Sequence, residues 1–256
     1  MDELSEDDWR RYLAAYHDVH AGITEQLFRR AESSPYAWLA ELRTPAPAGP
    51  VLDLACGSAP LRELLPDADW LGVDSSTGEL AAAARAGRGP LVRASAEALP
   101  VASGSIAAVA ASMCLPVLTP LPRVLAEIRR VLRPGGTLLA LVPARLGPSP
   151  MGLLAWARVM RALGAARQPW PNPQARDGLA ALLRRSGFEV EVDERRVFTL
   201  HLSTPEDAAR LAEGLYLPGL TPERATAAER TLTAWARSGR RLPLPLRRVR
   251  ATAVRR

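Results

Sequence analysis

From Val51 to Pro143, short apolar runs alternate with longer stretches whose apolar positions recur at helical spacing. This alternation constrains the fold most, because strands joined by helical crossovers run parallel and need cover on both faces. The expected strands are Val51–Leu54, Trp70–Asp74, Leu91–Ala94, Ile106–Ser112 and Thr137–Val142, all apolar enough to be buried on both sides. Between them, Ser76 with Glu79 has the capping-box pattern for a helix through Arg85. Thr119-Pro120 opens a second helix, whose Leu121, Val124, Leu125, Ile128 and Leu132 make an apolar stripe. Arg133-Pro134-Gly135-Gly136 is expected to stop that helix and turn the chain into its next strand.

The flanks read differently. Residues 1–44 are expected to be helical, with Ser5 capping a segment that carries Trp9, Leu13 and Tyr16, and Ser34-Pro35 starting another. Pro45, Pro47 and Pro50 end this region, so residues 1–44 form a helical cap on a domain spanning 45–256. Beyond Pro143 come a helix near Met151–Leu163, a loop at Pro169–Pro173, and a helix ending at Gly187 that leads into a strand from Phe188. Thr204-Pro205 and Thr221-Pro222 each pair a helix cap with a first turn, which places helical insertions around 147–175 and 204–240. Leu244–Val254 is a last strand, with Pro243 and Pro245 requiring an edge or a strand start.

All 33 basic residues are arginine, and the net charge is +6. With so much alanine, proline and leucine, this reads as compositional bias rather than selection for phosphate, and net charge speaks to association rather than to a site. The dense cluster Arg237, Arg240, Arg241, Arg247, Arg248, Arg250, Arg255 and Arg256 is where nucleic acid would bind if that reading failed. The acidic start, Met1–Arg11, lacks the pattern of an export signal, and the uncharged stretch after Arg93 is broken by Glu97, Pro100, Pro116 and Pro120. A cytoplasmic protein without a membrane span is therefore expected. Cys56 and Cys114 lie in apolar, strand-like segments and read as reduced core thiols.

The chemistry concentrates in Val51-Leu52-Asp53-Leu54-Ala55-Cys56-Gly57-Ser58-Ala59-Pro60, followed by Trp70-Leu71-Gly72-Val73-Asp74. Small residues at Ala55, Gly57 and Ser58 let backbone approach a ligand, and a carboxylate ending the second strand can accept from two ribose hydroxyls. A dinucleotide site would need G-x-G-x-x-G, but Ala55–Pro60 holds one glycine. Asp53 adds negative charge, which suits a cationic ligand end better than a pyrophosphate. A sulfonium nucleoside with an amino group fits, while a lysine-dependent phosphate loop is excluded because the chain has no lysine.

These residues resemble the class I S-adenosylmethionine-dependent methyltransferases, in the branch typified by the ubiquinone and menaquinone biosynthesis enzymes. The resemblance covers about Val51 to Pro143. It rests on Leu52–Gly57, Gly72-Val73-Asp74, Ala96-Glu97-Ala98-Leu99-Pro100 and Glu127–Gly136. It implies a Rossmann-like, doubly wound α/β fold with a mostly parallel seven-stranded sheet, an N-terminal helical cap and C-terminal helical insertions. It also implies that Asp53 and the Ala55–Gly57 backbone, with Ser58, hold the methionine part of S-adenosyl-L-methionine. Asp74 would hold the ribose, with Ser75 also among the cofactor-binding residues, Ser95, Ala96 and Glu97 would lie by the adenine, and Ser112 to Cys114 would face the cofactor's other side. Three positions depart from the pattern: Ala59 where glycine is usual, Ser95 in place of an acid, and Ala107 in place of an aspartate.

The function implied is methyl transfer to a small organic acceptor by in-line displacement, which needs neither metal nor covalent nucleophile. If the acceptor is a hydroxyl, His17 and His20 of the cap are the candidate bases, with His201 a weaker one. Trp9, Tyr12, Tyr16, Trp38, Trp156, Trp170 and Tyr216 supply aromatic surface for a lidded pocket, although most are expected in the core. Two alternatives stay open: a protein of this fold that binds the cofactor without transfer, and an RNA methyltransferase using the Arg-rich carboxyl end.

Overall fold

The computed structural model describes residues 4–43, 49–145, 150–164, 168–237 and 241–254. Three helices come first, α1 (Glu6–Val19), α2 (Ile23–Phe28) and α3 (Pro35–Ala40). The alternating region follows as β1 (Val51–Leu54), α4 (Leu61–Leu64), β2 (Trp70–Asp74), α5 (Thr77–Arg85), β3 (Leu91–Arg93), β4 (Ile106–Ser112), α6 (Leu121–Val131) and β5 (Leu132–Pro143). The remainder is α7 (Pro150–Ala162), α8 (Gln174–Asp177), α9 (Leu179–Arg185), β6 (Phe188–Leu200), α10 (Pro205–Glu213), α11 (Pro222–Arg237) and β7 (Leu242–Ala253).

The strands form one seven-stranded sheet in the order β3-β2-β1-β4-β5-β7-β6. The first five are parallel, and β7 runs antiparallel to both β5 and β6. Side chains alternate across it, as a strand's period of two requires. Ala110, Leu139 and Leu141 join a core with α2, α3, α7, α10 and α11. Val109, Ala111, Leu138, Ala140 and Val142 join another with α6, α8 and α9. The strand order reverses between β1 and β4, which opens a crevice at their carboxyl ends.

The strand carrying Pro243 and Pro245 meets one of the two placements expected of it: it lies inside the sheet, with both prolines at its start. Residues of an antiparallel strand direct their N–H and C=O to the same side. Here that side is where β5 has ended: Ala144 N donates to the Pro245 carbonyl at 2.9 Å and Trp156 Nε1 to that of Pro243 at 2.6 Å, so the missing proline donors cost the ladder nothing. Thr119 does not cap α6; Pro120 occupies the cap position without a side-chain bond, and Leu132 belongs to β5 rather than to the helix. Arg133–Gly136 bulges within β5, between the Ile106↔Leu132 and Ala108↔Thr137 pairs. Ser76 caps α5, but Glu79 does not complete the box: Ser76 N donates to Asp74 instead. Pro45, Pro47, Arg240, Arg255, Arg256 and parts of the 147–175 insertion lie outside the described residues.

Of the described arginines at the carboxyl end, Arg247, Arg248 and Arg250 are paired on the sheet. Arg247 pairs with Asp193, Arg250 with Glu191, and Arg248 with Glu194 and Glu41, while Arg248 also sits 4.6 Å over the Trp38 ring. These charges tie β7 to β6 and to the N-terminal segment. Arg237 and Arg241 are exposed.

The N-terminal helices lie across the carboxyl edge of the sheet. Trp9 Nε1 donates to the Val117 carbonyl at 2.7 Å. Asp18, at the end of α1, accepts from Gly78 N at 3.0 Å, Ser76 Oγ at 2.8 Å and Thr77 Oγ1 at 3.2 Å. A carboxylate is favoured there because the first N–H groups of a helix lack intrahelical partners and carry partial positive charge. The Gly78 N–H, then the Ser76 hydroxyl, hold the Asp18 pKa below its ordinary value.

Gly78 permits this contact, since a Cβ there would fall 2.6 Å from the Asp18 carbonyl oxygen and 2.8 Å from its Cα. Both are backbone atoms, so relief requires α1 to move. Gly78→Ala is expected to destabilise the fold by about 1–3 kcal/mol in denaturant unfolding and to change Trp9 fluorescence; unchanged stability and emission would refute the contact.

Candidate functional site

A cavity of about 330 Å³ occupies the crevice at the carboxyl ends of β1 to β4. The sheet contributes Asp53, Ala55, Gly57 and Ser58 from β1 and its loop, and Asp74, Ser75 and Ser76 from β2 and its loop. Ser95, Ala96 and Glu97 follow β3, and Ser112, Met113 and Cys114 close β4. All ten cofactor-site residues expected from the sequence therefore share one wall. The N-terminal helices supply the roof, through Arg10, Leu13, His17, Thr24, Glu25 and Tyr36, and Tyr216 enters from beyond α10.

His17 lines the cavity and its Nδ1 lies 2.8 Å from Glu79 Oε1. His20 is not on this wall; it stacks on Tyr16 with centroids 4.5 Å apart and lies 3.7 Å from Glu213. Of the seven aromatic residues expected to supply pocket surface, only Tyr216 reaches this cavity. Trp9 packs with Ile23 and Val117, and Trp38 packs in the core against Phe198. Cys56 and Cys114 are free and buried as expected, but both follow strands rather than lying in them, and both line the cavity.

The wall is rich in carboxylates that differ in partners. Asp53 is buried and its Oδ2 has no hydrogen-bond partner; burial first, then the charge of Asp74, pushes its pKa well above the ordinary carboxylate value. Ser112 Oγ is also buried without a partner. Asp74 accepts from Gly57 N at 2.8 Å and Ser76 N at 2.9 Å, yet burial outweighs those bonds and raises its pKa too. Each of its oxygens retains capacity for one more donor.

Glu79 accepts from Gly22 N at 2.8 Å as well as contacting His17. Glu25 accepts from Ser58 Oγ at 2.6 Å and from both terminal nitrogens of the buried Arg88, at 2.8 and 2.9 Å. Burial pushes the Glu25 pKa up, but the Arg88 and Ser58 bonds more than offset it, leaving it low. Glu97 is held by Arg10 at 2.9 Å.

The backbone around the cavity is strained. Ala55, Met113 and Tyr216 have φ of 51°, 61° and 49°, and all three line it. The left-handed conformation costs about 1–2 kcal/mol per residue without glycine, and such strain gathers where a ligand is gripped. Ala59, with φ 57°, stands just behind the wall.

An unpartnered carboxyl oxygen, an unpartnered hydroxyl, a second carboxylate with spare acceptor capacity and a turn of small residues suit a nucleoside bearing an amino group. Asp18, Glu25, Arg88, Tyr36 and Arg10 were not legible as site residues. They belong to segments outside the motif, and their contacts bridge elements distant in sequence. Among the described residues no group of three or more His, Cys, Asp or Glu is placed to hold a metal ion.

Residues 52–140 match the model of a family described as a methyltransferase domain. The chain is 42% identical over 106 residues to the malonyl-[acyl-carrier protein] O-methyltransferase of Alcanivorax borkumensis, covering 38% of this chain and 36% of that one. It is 37% identical over 121 residues to the trans-aconitate 2-methyltransferase of Deinococcus radiodurans, covering 46% of each. The chain thus spans less than half the length of these curated relatives. The crystal structure of the [4+2]-cyclase SpnF superimposes with a TM-score of 0.61 over 94% of this chain and 95% of that one, at 17% identity, which shows a shared fold. Residues 52–140 are thus similar to a methyltransferase domain, within a chain whose seven-stranded, mostly parallel sheet is the class I methyltransferase fold.

Proposed function

We propose that this chain is an S-adenosylmethionine-dependent methyltransferase that acts on a small organic acceptor. The observation carrying this reading is the unpartnered, buried Asp53 Oδ2 beside Asp74, on a cavity wall at the reversal of strand order. The matched relatives are named as methyltransferases over the same segment.

When bound, the cofactor supplies a sulfonium methyl group open to in-line attack. Asp53 would accept from the amino group of its methionine part, and Asp74 would accept from the ribose hydroxyls with the lone pairs that Gly57 and Ser76 leave free. Ser75 and Ser58 would flank these contacts, Ser95, Ala96 and Glu97 would border the adenine, and Ser112 Oγ would gain a partner. Glu79 fixes His17 with Nδ1–H donated to it, so that Nε2 is left to take a proton from the acceptor. His20, held by Tyr16 and Glu213, takes no part.

Residues 1–44 act as a lid on the domain spanning 45–256, because α1 and α2 roof the cavity and reactants must pass them. The helical segments around 147–175 and 204–240 serve as insertions packed on the sheet through Val159, Leu163, Leu211 and Ala228, and Tyr216 of the second reaches the cavity wall. Internal pairing of Arg247, Arg248 and Arg250 supports a small acceptor over nucleic acid. No described helix is long and apolar enough to cross a membrane, and a cytoplasmic location is in keeping with the reading.

Calorimetric titration with S-adenosylmethionine and S-adenosylhomocysteine is expected to give micromolar binding, on the order of 8 kcal/mol. Asp74→Ala should lose at least about tenfold, or 1.4 kcal/mol, of it. Absence of binding to well-folded protein would refute the reading.

Asp53 gives a second expectation. Its pKa is raised on folding, so the penalty for its charge is absent below the unfolded carboxylate pKa and grows as pH rises toward the folded value. Asp53→Asn should therefore stabilise the ligand-free protein at pH 7 by about 0.5–2 kcal/mol, with the gain fading near pH 4, while weakening cofactor binding. A destabilised variant at pH 7 in denaturant titration would contradict this.

A further inference from the structure

We infer that the acceptor is an uncharged, largely apolar molecule whose reactive group is a hydroxyl, and that this site disfavours carboxylates. The inference rests on the methyltransferase reading and on the charges of the cavity wall.

A carboxylate acceptor is already ionised at neutral pH. It needs a cation or several strong donors to hold it and gains nothing from a base. The wall offers the reverse. Its carboxyl groups are Glu25, Asp53, Asp74, Glu79 and Glu97, while its basic side chains are Arg10 and His17. Both basic groups are engaged, Arg10 with Glu97 at 2.9 Å and also with Asp7, and His17 with Glu79 at 2.8 Å. Glu25 is matched by Arg88 behind the wall, and Asp53 and Asp74 are left without a cation, so an added carboxylate would find no spare positive side chain among the wall's residues, and like charges disfavour each other most where water is excluded.

The part of the wall outside the nucleoside-holding loops carries no charge apart from the engaged groups. It includes Leu13, Thr24, Tyr36, Leu61, Val117 and Tyr216. Tyr216 donates or accepts at 2.9 Å with Thr24 Oγ1, and burial pushes its pKa up to about 12, so it remains neutral. Behind Glu25, Tyr36 and Pro60, which both spaces share, a second recess of about 250 Å³ has Phe28, Ala31 and Leu64 on its lining together with Ser34, Arg29 and Glu63, the last of these paired with Arg88. The basic residue of this recess, Arg29, is paired with Glu25 at 2.6 Å. An apolar extension of the acceptor has room there.

For a hydroxyl acceptor the dyad has work to do. The hydroxyl oxygen bonds the methyl carbon as the carbon–sulfur bond breaks with its pair left on sulfur. The hydroxyl proton passes to His17 Nε2, and the resulting imidazolium is stabilised by Glu79.

The test titrates protein saturated with S-adenosylhomocysteine with 2-naphthol and 4-phenylphenol, with the matching naphthoate and biphenyl carboxylate, and with trans-aconitate. The phenols should bind at least about tenfold tighter than their carboxylate counterparts. Thr24→Arg, which adds a cation to the wall, should shrink that preference. With S-adenosylmethionine present, product from the phenols should fall about 10²-fold or more in His17→Gln, with S-adenosylhomocysteine affinity retained. Equal or tighter binding of the carboxylates, or binding of neither set while S-adenosylhomocysteine still binds, overturns the inference. Loss of S-adenosylhomocysteine binding in the wild type would instead overturn the methyltransferase reading beneath it.

Discussion

Parallel strands that end at one edge leave loop and helix N–H groups converging there, and those donors must be satisfied. This chain meets the demand with its own carboxylates. Asp74 takes Gly57 and Ser76, Asp18 takes Gly78, and Glu79 takes Gly22. Two of these carboxylates bind across the boundary between the N-terminal helices and the sheet, so the same bonds that complete the edge also hold the roof. Asp53 is the exception, with an oxygen left unpartnered inside the cavity. The edge is therefore stable where its acids are satisfied and receptive where one is not.

Local patterns in the sequence carried much of this. The strands Val51–Leu54, Trp70–Asp74 and Ile106–Ser112 appear with the bounds their apolar runs suggest, and Ser5, Ser34, Ser76 and Thr204 all cap helices. Caps are legible because donor and acceptor lie within three residues. What escaped was long-range. The internal place of β7, between β5 and the edge strand β6, depends on where β5 stops, a fact about a partner about 100 residues away in sequence. Glu79 looked like half of a capping box, but Gly22 N and His17 offered it a better-buried set of partners, and Asp74 took the cap's N–H. The aromatic residues of the roof do help to dock it, Trp9 on Val117 and Tyr16 on Glu213, but the acids Asp18, Glu25 and Glu79 and the close approach at Gly78 were not legible.

The position of Ala59 shows how a departure from a family pattern can be absorbed. With φ at 57° it occupies a conformation that glycine adopts freely, and Pro60 follows at φ −65° to open α4. The alanine methyl is fully buried in a cluster with Val51, Trp70 and Ala83. Burial of one methyl group recovers about 0.8 kcal/mol, comparable with the lower end of the left-handed penalty of about 1–2 kcal/mol. The substitution therefore costs the turn little and leaves Ala55 to Ser58 on the cavity wall.

Net charge misleads about this molecule in a specific way. The chain is basic overall, but its arginines are spent on acids: Arg88 on Glu25 and Glu63, Arg248 on Glu41 and Glu194, Arg247 on Asp193. Because these pairs lie on the sheet and between layers, the positive excess contributes little to the cavity, whose wall is acidic. An acidic wall favours a ligand that brings positive charge and opposes a second anion beside it. Under the proposed reading, one electrostatic feature would bear on both reactants, drawing in a sulfonium cofactor and leaving an acceptor to be held by shape, apolar contact and a hydroxyl.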